Sequence, residues 1–133
     1  MSTQFFGHII DNEEVESISG ERFDVWNPWT QEVFAQAAEG GAEDAERAIA
    51  SARKAFDEGP WPRMTHPERA AAIHKLADLM EERADELATL DSTNMAKPFA
   101  QAKHDVGRSV ANFRFFADHQ RDHTGEVYPM PSG

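Results

Sequence analysis

A short antiparallel β region followed by three amphipathic helices is the architecture this sequence predicts, and three observations carry it. Residues 7–36 hold short apolar runs separated by turn residues. Residues 43–57, 66–91 and 98–120 each repeat apolar side chains at helical spacing. Gly and Pro stand at the borders, at Gly40-Gly41, Gly59-Pro60 and Pro98, where they interrupt one element and open the next.

With 133 residues the chain fits one domain and is long enough to bury a core. Hydrophobic residues make up 40% and aromatic ones 10%, which argues against a disordered chain. The formal charge of −11 opposes binding to nucleic acid or to an anionic membrane surface. Cysteine is absent, which removes disulfides, thiolate metal sites and thiol nucleophiles together. No basic leader precedes Gly7 and no apolar run reaches membrane-spanning length, so the chain reads as soluble and cytoplasmic.

In the β region, His8-Ile9-Ile10 and the alternating Phe23-Asp24-Val25-Trp26 read as strands. Asn27-Pro28 and Thr30-Gln31 mark a turn before Glu32-Val33-Phe34-Ala35. Two or three strands are expected, with Trp26 as a core anchor and Trp29 packed on the surface. Gly40-Gly41 lacks the glycine spacing of a phosphate loop.

The first helix begins with Glu43-Asp44, acids that the helix dipole favours in an opening turn. Ala45, Ala48, Ile49, Ala52 and Phe56 form its apolar face, and Gly59 is the expected left-handed cap. The second is announced by Thr65-His66-Pro67-Glu68, a capping box, and carries Ile73, Leu76, Ala77, Met80, Leu87 and Leu90 along one side. Its acids, Glu81, Glu82, Asp85 and Glu86, surround Arg83 and read as a solvated face rather than a catalytic carboxylate pair. Lys97-Pro98 opens the third, with Phe99, Val106, Val110 and Phe113 as its stripe.

On the other side of that third helix, His104, Arg108 and Asn112 follow at four-residue steps. Periodicity alone makes them a solvated line. His119 and His123 have the spacing by which a helix presents two metal ligands, but no third ligand is placed and no metal site is expected. His8, His66 and His74 are scattered boundary residues. The tail Val127-Tyr128-Pro129-Met130 reads as extended.

Taken in order, these pieces resemble the N-terminal part of the NAD(P)-dependent aldehyde dehydrogenase superfamily. The resemblance runs from His8-Ile9-Ile10-Asp11-Asn12 through Phe23-Asp24-Val25-Trp26-Asn27-Pro28, Ala42-Glu43-Asp44-Ala45 and Gly59-Pro60-Trp61-Pro62. It continues through Glu68-Arg69-Ala70, Lys97-Pro98 and Phe115-Phe116-Ala117 to Gly125-Glu126-Val127-Tyr128-Pro129. Two departures stand out. Thr30-Gln31-Glu32 replaces Thr-Gly-Glu, so a residue with a side chain must take a backbone position that suits Gly, at a cost of roughly 1 kcal/mol. Asn94-Met95-Ala96-Lys97-Pro98 replaces Asp-Thr-Gly-Lys-Pro, which puts a monovalent-cation site known in some members in doubt.

The resemblance implies an α/β fold of which this segment holds the first strands and helices, without the Rossmann-type sheet. It implies that the cofactor glycine loop, catalytic cysteine and general-base glutamate lie beyond Gly133. This chain alone is therefore expected to be inactive and to bind neither NAD nor NADP. It implies a small-molecule aldehyde as substrate and a homodimer or homotetramer for full-length members. Arg108-Ser109-Val110-Ala111-Asn112-Phe113-Arg114-Phe115-Phe116-Ala117 is similar to a motif in members that oxidise hydroxymuconate or aminomuconate semialdehydes from aromatic ring cleavage. In those members an arginine in this helix faces the substrate. Arg108 is then a candidate substrate-binding residue, His104 a second on the same tunnel, and Arg114 a structural ion-pair residue. A non-catalytic helical interaction module or an inert fragment derived from the family is the alternative.

Overall fold

The computed structural model describes residues 4–119. Its strands are β1 (Gln4–Phe6), β2 (His8–Ile10), β3 (Glu13–Val15), β4 (Arg22–Asn27) and β5 (Glu32–Ala38). Its helices are α1 (Ala42–Glu58), α2 (His66–Glu82), α3 (Ala84–Met95) and α4 (Phe99–His119), with a 3-10 turn at Trp61–Arg63. Strands followed by helices, without a doubly wound sheet among the described residues, is the arrangement expected, but with more elements of each kind.

The β region is not wholly antiparallel. β1, which begins ahead of residue 7, runs parallel to β5 with Gln4 opposite Ala35, and β4 completes a sheet of order β1-β5-β4. Parallel neighbours need a long connection. The separate β2–β3 hairpin and strand β4 supply it. The hairpin turns on Asp11 and Asn12, with φ of 54° and 64°, the two left-handed positions of a two-residue loop that Asp and Asn tolerate best. Asn27 closes the β4–β5 turn by accepting from the Trp29 and Thr30 amides at 2.9 and 3.3 Å. Gln31 takes the left-handed position at φ 60°, and its side-chain amide donates to the Pro28 carbonyl at 2.7 Å, which helps hold that turn.

The single helix expected over 66–91 is two. The chain leaves helical geometry at Arg83 (φ −104°, ψ 21°), and α3 then packs on β4 as well as on α4. No Gly or Pro marks the break; it re-aims the helix toward the sheet, which periodicity cannot register. Thr65 and Glu68 form the expected capping box, with the Thr65 amide donating to the Glu68 carboxylate at 2.7 Å. That bond, with the hydroxyl of the same residue, holds the Glu68 carboxyl below its usual range. Gly59 is not left-handed: its φ is −66°. Glycine is required there by proximity instead, because a Cβ would sit 2.1 Å from the Ala55 carbonyl oxygen.

One expectation about burial is overturned. Trp26, expected as a core anchor, is 56% exposed, while Trp29, expected at the surface, is 82% exposed. The apolar face of α1 is open to solvent along its length, including Ile49 and Phe56. The neighbours of α1 among the described residues, β2 and the 3-10 turn, leave that face exposed. The core lies elsewhere, where Ala70 and Ala77 of α2 and Ala88 of α3 meet Ala102, Val110 and Ala117 of α4.

Asp44 joins the two halves. Nearly fully buried at the start of α1, it accepts from the Gly41 amide and from the Ile18 amide, both at 3.0 Å. The Gly41 bond, supported by that from Ile18 and opposed by burial, holds its carboxyl below the usual aspartate range. A carboxyl depressed on folding stabilises fully above its unfolded value, about 3.9, and stops doing so as pH falls through the folded value. Asp44→Asn is therefore expected to lower Tm near neutral pH, with the gap to wild type narrowing below about pH 5. Thermal melts across pH check this, and a constant gap would count against it.

Candidate functional site

Helix α4 has two unlike sides. One packs on α2 and α3, and there its cations meet acids. Arg114 reaches Asp78 at 2.8 Å and Glu81 at 2.7 Å, Lys103 reaches Asp85 at 2.6 Å, and Asp118 receives His74 at 2.9 Å. The Arg114 guanidinium is held charged beyond its ordinary range by Glu81 first and Asp78 second. Glu81 and Asp85, read from sequence as a solvated face, are exposed yet serve as these partners.

The other side carries His104, Arg108, Asn112 and Phe115, all exposed. Residues four apart lie one helical turn on, so the first three form a line about 12 Å long. Among the described residues, neither the His104 nor the Arg108 side chain has a hydrogen bond or ion pair. Phe115 stacks on His119 with rings 3° from parallel and centroids 6.1 Å apart. This places an aromatic surface on the same side as the guanidinium, which the sequence reading did not single out. His123, the second ligand of the metal pair considered, lies outside the described residues, as does the extended tail.

The arrangement is an open face rather than a pocket. A cavity of about 700 Å³ opens between α4 and the α2–α3 junction, lined by Arg83, Glu86, Lys103, Val110 and Arg114. A second, about 420 Å³, is lined by Asn27, Trp29, Thr93, Ala96, Lys97 and Phe99. Neither includes His104 or Arg108. Chemically, an unpaired guanidinium on an exposed helix face offers planar, two-pronged donation to a carboxylate.

The frame that holds this face is set at the start of α4. Ala96 ends α3 in a left-handed conformation at φ 53°, and Lys97 follows, pinned between Asp91 at 2.6 Å and Asp105 at 3.1 Å. Asp91 and then Asp105 keep the Lys97 ammonium protonated above its usual range, and Lys97 holds the Asp105 carboxyl below its own.

Comparison with known proteins bears on this arrangement. A profile of the aldehyde dehydrogenase family matches residues 15–133. The chain belongs to that family. Aldehyde dehydrogenase 1 of Tanacetum cinerariifolium is 46% identical over 109 residues, 81% of this chain and 22% of that protein. Mitochondrial benzaldehyde dehydrogenase of Antirrhinum majus is 42% identical over 118 residues, 88% of this chain and 22% of that protein. The NAD+ complex of a Bacillus cereus aldehyde dehydrogenase superposes with a TM-score of 0.89 at 38% identity, covering 96% of this chain and 26% of that one. The chain therefore spans about a fifth to a quarter of the aldehyde dehydrogenases it matches. No helix among the described residues is long and apolar enough to cross a membrane.

The two arginines of α4 are expected to separate by experiment. Arg114→Ala removes both of that residue's carboxylate contacts to α2 and should lower Tm, whereas Arg108→Ala breaks no hydrogen bond or ion pair of the side chain and should leave it unchanged. Differential scanning calorimetry decides this; equal destabilisation would place Arg108 in the framework.

Proposed function

We propose that this chain is the N-terminal part of an NAD(P)-dependent aldehyde dehydrogenase that oxidises a carboxylated semialdehyde to the acid, with Arg108 fixing the remote carboxylate. The observation that carries the reading is the unpaired Arg108 on the open side of α4, while the cations on the packed side have acid partners. The similarity of residues 108–117 to the motif of muconate-type semialdehyde dehydrogenases supports the substrate class. His104, one turn earlier, is the second candidate for the same tunnel wall. The enzyme so formed is proposed to be a soluble cytoplasmic homodimer or homotetramer acting in aromatic catabolism.

The described residues do not suit a dinucleotide phosphate. A helix N-terminus can cradle one. At α1, however, the Gly41 amide already donates to Asp44, and Glu43 adds a second acid in that turn. The cofactor, which takes up hydride from the aldehyde carbon, is proposed to be held by parts of the enzyme outside this chain. With no cysteine nucleophile, the 133-residue protein by itself is expected to show no aldehyde-dependent reduction of NAD or NADP above background.

What this segment contributes is binding and orientation. Two parallel donors from Arg108 would anchor the far end of the substrate so that its aldehyde projects along the helix toward the reacting centre. In an enzyme containing this segment, Arg108→Ala is expected to reduce kcat/KM for a carboxylated semialdehyde by about tenfold to a hundredfold while sparing an uncharged aldehyde of similar size. Arg108→Lys should recover part of the loss, since a point charge lacks the planar fork. Equal losses on both aldehydes would make Arg108 structural and remove the carboxylated substrate from the assignment.

A further inference from the structure

We infer that Lys97 is a positioning residue for Arg108: by occupying the Asp105 carboxylate, it keeps that group from closing on the guanidinium three residues further along α4. The functional meaning rests on the carboxylate-binding reading of Arg108. The ion-pair competition itself rests on geometry alone.

Opposite charges three or four apart on a helix are neighbours and pair when nothing competes. This chain shows the uncontested case on α1, where Arg53 closes on Asp57 four residues later. Arg108 faces a similar choice. Asp105 is the only acid within four residues of it in the sequence. Yet the two make no hydrogen bond or ion pair: Arg108 acts on the Asp105 charge only from a distance, and each Asp105 oxygen already has a nearer donor. Oδ2 accepts from the Lys97 ammonium at 3.1 Å and Oδ1 from the Gln101 side-chain amide at 3.2 Å.

Lys97 is well held for this role. It is half-buried, anchored on its other side by Asp91 at 2.6 Å, and fixed at the α3–α4 junction between the left-handed Ala96 and Pro98. Gln101 is neutral and sits on the helix surface, so the charge that opposes capture of Arg108 comes from Lys97. Without it, Asp105 would have an unneutralised oxygen within one turn of an unpaired guanidinium. A self-paired Arg108 would offer a substrate carboxylate less than its full fork.

The test uses phenylglyoxal, which modifies free guanidinium groups and carries no carboxylate, so its result is independent of the substrate assignment tested above by kcat/KM. The rate of modification at Arg108 in the 133-residue protein is read by peptide mass, normalised to the exposed Arg47. Lys97→Gln is expected to slow Arg108 about twofold, the scale of a surface helix pair. The double variant Lys97→Gln/Asp105→Asn should return to the wild-type rate, because the captor is gone. Asp91→Asn breaks the same junction but leaves Lys97 on Asp105, and should leave Arg108 at the wild-type rate. An unchanged or faster Arg108 rate in Lys97→Gln, a double variant no different from the single, or equal slowing in Asp91→Asn overturns the inference.

Discussion

Close approach of α4 to α2 and α3 through alanine is the constraint on which the rest of the structure depends. Ala77, Ala88, Ala102 and Ala117 have no exposed surface, and no large side chain is fully buried among the described residues. Small residues let helix axes come near one another but bury little apolar area each, so the interface draws much of its specificity from its rim. There the ion pairs of Lys97, Lys103 and Arg114 fix the rotation of α4 about its own axis. Once that rotation is fixed, the opposite side of the helix has to present His104, Arg108 and Phe115 outward.

The same economy of burial explains how far the sequence was legible. Boundaries set by local chemistry could be read: the Thr65–Glu68 box and the acids opening α1 are short-range interactions written in adjacent residues. Gln31 could be read only through the resemblance, which puts glycine at that turn position, and its φ of 60° agrees. What could not be read is which apolar stripe finds a partner. The pattern Ala45, Ala48, Ile49, Ala52, Phe56 is as regular as the stripe of α4, yet all of it is exposed, and in α4 Val110 is buried while Phe99 and Phe113 are exposed; periodicity names a face without naming what covers it. The members matched above are about four times longer than the chain, and their additional structure is outside any inference from this stretch of residues.

The break at Arg83 and the parallel β1 were illegible for a related reason. Both are responses to a neighbour distant in sequence: α3 turns toward β4, and β1 waits for β5. The break at Arg83 leaves no Gly or Pro behind it, and Gly7, which ends β1, marks a boundary without naming the strand's partner. The Asp11-Asn12 turn, by contrast, did leave a signal. Two adjacent residues tolerant of left-handed geometry between short runs mark a tight hairpin, and they join β2 to β3 in a sheet of their own.

At the candidate site, periodicity placed His104, Arg108 and Asn112 on one line and favoured solvation, and only the resemblance pointed to binding. Arg108 and Arg114 show why. They are six residues apart on one helix, of the same type, and differ only in what lies opposite. Arg114 faces α2 and is satisfied by Asp78 and Glu81, whereas Arg108 faces away and has its one nearby acid, Asp105, engaged by Lys97 and Gln101. An arginine's role is therefore a property of the rotation of the helix and of the pairing of its neighbours, not of its own surroundings in sequence. The alanine interface sets the first, the Lys97 junction sets the second, and the open guanidinium follows from the two together.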